Sequence, residues 1–190
     1  MKRILLFCVT TMTLYLCNAQ VSSKKKINQT KEYIQETKDF IKYIRTTRFS
    51  VETILLVDKP PIDQFYTFKD WIFRDSTLFT KNEQIIIKSK IKKPLLKKWN
   101  SELVYDANFI SSATINSIFK DRNKSWAYFY KHYGKNYNSF SAPIFLRNNT
   151  LCLFYTQNSC GRLCGSGQIA VFKKEGDEWI LFKTICEWIN

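Results

Sequence analysis

The sequence predicts an α+β fold, with N-terminal helices packed on a C-terminal antiparallel β-meander. Apolar residues in the first two thirds of the chain recur at three and four positions, as on one face of a helix. From Ser139 onward the pattern becomes extended, in runs rich in β-branched and aromatic residues. Four of the five glycines fall between Gly161 and Gly176, where such runs have to turn.

Taken in order, Met1-Lys2-Arg3 is a short positive region, and Ile4 to Leu16 is apolar with only threonines interrupting it. Cys17-Asn18-Ala19 then offers small residues to a signal peptidase. Residues 1–19 are therefore expected to be a signal peptide. The apolar run is short of the ~20 residues that a permanent anchor needs. A competing reading makes Cys17 a lipid acceptor, but bulky Leu16 stands where a small residue belongs. Residues 20–27 read as a polar tether, and 28–190 as a single α+β domain. Without its leader the chain keeps 171 of 190 residues, enough for one real core.

Residues 28–46 have an amphipathic helical pattern, with Ile34, Ile41 and Ile44 near one face and Phe40 and Tyr43 beside them. Ser50 to Val57 is β-branched and apolar, and Pro60-Pro61 ends it as a strand. Phe65 to Phe79 is aromatic and ambiguous. Thr80-Lys-Asn-Glu83 is a capping box ahead of a basic helix over Gln84 to Lys93, which Pro94 breaks. Ser111 or Ser112 can cap a helix carrying Ile115, Ile118 and Phe119. Another helix runs from Ser125 to Tyr133, closed by Gly134. Its Trp126, Phe129, Tyr130 and Tyr133 are spaced to form one aromatic packing face.

The meander consists of Phe140 to Leu146, Leu151 to Thr156, Gln168 to Lys173 and Glu178 to Trp188. Glu175-Gly176-Asp177 is a hairpin turn whose pairing sets Phe172 near Trp179. Cys160-Gly-Arg-Leu-Cys164-Gly-Ser-Gly167 reads as a tight turn between two strands.

All four cysteines beyond the leader, Cys152, Cys160, Cys164 and Cys186, follow Thr150. Outside the cytoplasm such thiols usually end as disulfides, and four of them allow three complete pairings. Cys160 with Cys164 is favoured, because Gly161 lets the turn fold back. The rival is Cys164 with Cys186, which hairpin counting brings near one another, while Cys152 faces the Phe172 region.

Thirty basic residues stand against 16 acidic ones, a formal charge of +14, or +12 once Lys2 and Arg3 leave with the leader. Such a charge favours anionic partners. Its densest stretch is Lys88 to Trp99, where Trp99 is the only aromatic, so nucleic acid is not the expected partner. An anionic envelope component or another protein fits the charge better, and no membrane span is expected after leader removal.

No catalytic set emerges. C-x3-C is not the spacing of thiol oxidoreductases. Cys160, Cys164, Cys186 and the sole histidine, His132, could ligate zinc, but not at zinc-ribbon spacing. Asp58, Asp63, Asp70, Asp75 and Asp106 are scattered, with no pair set for general acid and base work. Gly165-Ser166-Gly167 could offer backbone N–H groups to an anion, yet it lacks the helix and lysine of a phosphate loop. No metal or other cofactor is expected.

Ser139-Phe-Ser-Ala-Pro-Ile-Phe145, Cys160-Gly-Arg-Leu-Cys164-Gly-Ser-Gly167, Trp126-Ala-Tyr-Phe129, Trp179 and Trp188 occur here in a characteristic combination. From about Phe109 onward the chain resembles a group of uncharacterised exported proteins of Bacteroidetes-type bacteria. The resemblance implies a bacterial source, a periplasmic, outer-surface or secreted location, and a C-terminal sheet marked by Ser141-x-Pro143 and the cysteine turn. It implies no activity.

The expected function is thus that of an exported cell-envelope or secreted binding module. Arg162, at the tip of the cysteine loop, and Gly165, Ser166 and Gly167 are its candidate binding residues. The alternatives are an envelope hydrolase using His132, Ser141 and the loop, or a thiol or metal protein built on Cys160 to Gly167.

Overall fold

The structure, a computed structural model, describes residues 30–49 and 53–190. The expected signal peptide, the tether, Cys17 and the start of the Ser50 strand lie outside the described residues. The chain forms two compact units, 1–37 and 38–190. In the first, the described residues are helical, and the Thr37 hydroxyl donates to the Tyr33 carbonyl at 2.7 Å. The second unit holds the sheet.

Helix α1, described over 30–48, brings Phe40, Ile41 and Ile44 into this unit fully buried. Strand β1 (Ile54–Val57) follows, then the short helices α2 (Asp63–Thr67) and α3 (Lys69–Ile72), which resolve the ambiguous aromatic segment. Helix α4 (Lys81–Lys92) starts with the expected capping box. Thr80 Oγ1 accepts from the Glu83 N–H at 3.2 Å, and Glu83 Oε2 accepts from the Thr80 N–H at 2.8 Å. Strand β2 (Ala107–Ile110) precedes α5 (Ser112–Lys120), capped by the Ser111 hydroxyl, and α6 (Ser125–His132). Gly134, at φ +116°, lies just beyond α6. The chain ends with β3 (Tyr137–Phe140), β4 (Ile144–Leu146), β5 (Leu151–Gly161), β6 (Cys164–Glu175) and β7 (Glu178–Ile189).

The architecture is α+β, and β5, β6 and β7 form the antiparallel meander. The sheet extends further, in the order β2-β1-β3-β5-β6-β7, with β4 pairing β5. The pairs β1–β2 and β1–β3 are parallel. Parallel neighbours need long crossovers, which α2 to α4 and then α5 and α6 supply.

Helices cover both faces of the sheet. On one, Phe40 of α1 meets Phe154, Phe172 and Trp179 edge-on at 5.0 to 5.2 Å between ring centres. On the other, Phe65, Ile72, Ile87 and Ile91 pack on Leu153, Tyr155, Ile169 and Val171. Phe129 of α6 and Ile118 of α5 pack against Val57 and Ile110, with Trp126 and Tyr137 at the margin; of the expected aromatic packing face of α6, Phe129 is buried and Trp126 half-buried, whereas Tyr130 and Tyr133 are exposed.

The β6–β7 turn stands at Gly176, which takes φ +63°, with Glu175 paired to Glu178, and it sets Phe172 and Trp179 on one face with both rings against Phe40. One expectation of register changes. Further along, two β-bulges each leave an extra residue on β7, which carries Cys186 to Ile169. Cys186 is therefore not brought to Cys164, and the rival disulfide is not formed. Cys152 does face Phe172 across β5 and β6.

Candidate ligand-binding cleft

Alternation along a strand sends neighbouring side chains to opposite faces, and residues paired across strands share a face. On the face covered by α1, Phe154 pairs with Ala170 and Cys152 with Phe172. Towards the other end of the same strands this face turns polar. One row there consists of Asn138, Asn158 and Ser166, and the next contains Thr156, Gln168 and Glu187. At the usual strand spacing of about 4.8 Å these side chains form a hydrogen-bonding grid.

The grid lines a cleft of about 500 Å³. Arg48 and Phe49, at the end of α1, wall it on one side, together with Thr53 and Asn136. Arg48 is held in place by stacking over the Phe172 ring, 5.5 Å from its centre. Arg48 and Glu187 are the two charged groups that line the cleft among the described residues, so its walls are close to neutral.

Its floor is ordered. Asn138 is only 2% exposed, and its Nδ2 donates to the Leu55 carbonyl at 3.5 Å. Its Oδ1 accepts from Asn158 Nδ2 at 3.0 Å. These bonds fix which end of each amide faces which way, and they leave Asn158 with an acceptor oxygen and a second N–H. Thr156 is likewise buried at the base.

The opposite face at this end is closed by an indole. Gly165 and Gly167 lie within β6, not in a turn, and the Trp188 ring lies over them. A Cβ on Gly167 would sit 2.7 Å from Trp188 Cε2. These glycines thus serve close approach of a ring, and the anion-nest reading of Gly165-Ser166-Gly167 falls. Trp188 also donates to the Tyr155 hydroxyl, which donates to Gln157 Oε1 at 2.8 Å, and Gln157 Nε2 donates to Ser159 Oγ at 2.9 Å. Burial pushes the Tyr155 hydroxyl well above its ordinary pKa.

The cysteine segment is a hairpin end. β5 runs to Gly161 and β6 resumes at Cys164, so only Arg162 and Leu163 turn. Cys160 and Cys164 are joined by a disulfide, with Cα atoms 5.1 Å apart. Tyr130 of α6 braces this end by donating to the Cys160 carbonyl at 2.7 Å. Arg162 is exposed at the tip and Leu163 is 84% exposed. Of the four residues predicted to bind, Ser166 and Gly167 line the cleft, Gly165 lies under Trp188, and Arg162 stands apart on the tip.

The alternative chemistries are not assembled. Ser141 is buried, and its Oγ accepts the Tyr155 N–H at 2.9 Å. His132 is exposed on α6 with its ring 4.3 Å from that of Tyr128, so the two hydrolase candidates do not converge. The zinc set loses Cys160 and Cys164 to the disulfide, and no group of three or more His, Cys, Asp or Glu among the described residues could hold a metal. Cys152 and Cys186 are thiols, and burial pushes that of Cys186 up.

Sequence reasoning missed Asn138, Thr156, Asn158, Gln168 and Glu187. Their signal was present: Thr156-x-Asn158 and Ser166-x-Gln168 put polar groups at period two on a face that is apolar elsewhere. No protein-family model, curated protein or solved structure matches the chain.

Proposed function

We propose that this chain is an exported, non-catalytic binding module of a bacterial cell envelope or its secretions, and that its cleft takes a neutral, polyhydroxylated ligand of the carbohydrate class. Export rests on the composition of residues 1–19, and the bacterial envelope on the resemblance of the second half. The ligand class rests on the two rows of amides and hydroxyls, with Asn138 and Asn158 already bonded in a fixed orientation. A carboxamide offers a donor and an acceptor side by side, which matches a sugar hydroxyl that gives one hydrogen bond and takes another. Side chains ordered before binding lose little entropy on contact. The volume of the cleft falls within the usual range for small-molecule sites, about 300 to 1,000 Å³.

The test is ligand-observed NMR with a panel of neutral oligosaccharides, using wild type, Asn158→Leu and Gln168→Leu. Saturation transfer to at least one neutral sugar, weakened about tenfold or more by each substitution, is the expected result. Transfer to none, or to acidic sugars alone, sinks the proposal.

A further inference from the structure

The basic stretch predicted from sequence sorts into inward and outward groups. Trp99 is buried with its Nε1 donating to the Phe140 carbonyl at 2.8 Å, so it offers no stacking platform. Lys90 is turned in: its Nζ donates to the Phe145 carbonyl at 2.8 Å, and burial lowers its pKa. Ile87 and Ile91 face the core.

The outward face of α4 is unlike an ordinary solvated helix face, which is polar throughout. Ile85 is 65% exposed and Ile86 42%. At helical spacing Lys81, Ile85, Lys88 and Lys92 form one stripe, and Asn82, Ile86, Ser89 and Lys93 form its neighbour. The four lysines in these stripes are exposed, and none of them is ion-paired among the described residues. Leu95, just past the helix, is also exposed, with Lys97 beside it. An apolar pair framed by uncompensated positive charge on a convex helix is the pattern of an element that lies flat in a membrane interface. No helix among the described residues is long and apolar enough to cross a membrane.

We propose that the outward face of α4 docks on anionic phospholipid bilayers, with Ile85 and Ile86 entering the headgroup boundary and Lys81, Lys88, Lys92 and Lys93 on the lipid phosphates. This surface is separate from the cleft, so either proposal can fail without the other. Charge complementarity selects the occupant, because a second copy of so basic a face would repel the first.

The experiment is co-sedimentation of the chain with vesicles of phosphatidylglycerol mixed with phosphatidylcholine, and with phosphatidylcholine alone. Wild type is expected to bind only the anionic vesicles. Ile85→Ser with Ile86→Ser should weaken that binding about tenfold with circular dichroism unchanged. Lys92→Gln with Lys93→Gln should weaken it roughly fivefold per lysine. Three results overturn the proposal: no binding to anionic vesicles, binding indifferent to the isoleucine changes, or an oligomer of the chain that those changes break apart.

Discussion

Arg147 ties the β4–β5 turn to the start of α4. Its guanidinium grips Glu83 with two bonds, Nε to Oε1 at 2.7 Å and Nη2 to Oε2 at 3.1 Å, and Nη2 also donates to the Leu78 carbonyl at 3.1 Å. Glu83 is at the same time the reciprocal partner in the capping box. The Arg147 guanidinium first, and the Thr80 N–H after it, hold the Glu83 carboxyl at about 2, against an ordinary 4.5. A gap of about 2.5 pH units corresponds to at most about 3.4 kcal/mol. Arg147 is 46% exposed in its side chain, so screening reduces this to about 1–2 kcal/mol. A carboxyl whose pKa is depressed by folding contributes stability that is complete above its unfolded value of 4.5 and disappears as pH falls towards 2. Arg147→Met should therefore lower the urea-unfolding free energy by about 1–2 kcal/mol at pH 7. Between pH 4.5 and 2 the stability of wild type should fall more steeply than that of Glu83→Gln. Parallel pH profiles for wild type and Glu83→Gln, or an Arg147→Met variant as stable as wild type, would refute the reasoning.

The remaining expectations concern the closed end of the sheet. Because the Cys160–Cys164 bridge closes only a five-residue loop, its loss in the double Ser variant should destabilise the fold by about 2 kcal/mol. Melting curves should show wild type in reductant matching that variant in either buffer; a wild type indifferent to reductant contradicts this. Gly167→Ala should be destabilising by about 1–3 kcal/mol, since the new methyl meets the Trp188 ring. In a Trp188→Ala background the same change should be nearly neutral, and additive effects in that cycle would argue against the contact.

Features of the fold carried by neighbouring residues were legible in the sequence. The Thr80–Glu83 box, the Ser111 cap and the Gly176 turn each involve residues three or fewer positions apart, and each stands where the sequence puts it. Strand β2 was missed, because Ala107–Ile110 is four residues long and its partner β1 lies some fifty residues earlier. The bulges in β7 were invisible for a similar reason: they are set by packing across β6, and they moved Cys186 from its counted position. Gly165 and Gly167 looked like turn residues because glycine commonly signals a turn. Here it signals instead a ring from a strand more than twenty residues away. The cleft needs α1, β3, β5, β6 and β7 together, so only its period-two polar pattern was written locally.

The central claim is that Asn158, its amide already held by Asn138, and its neighbour Gln168 present carboxamides to a neutral ligand in the cleft. Side-chain amide resonances of isotope-labelled protein, followed while the neutral oligosaccharides are added, test it most directly. The account predicts that the Asn158 and Gln168 side-chain signals move while the backbone signals of Arg162 and Leu163 stay still. Shifts confined to the hairpin tip, or amide signals that never move, would contradict it.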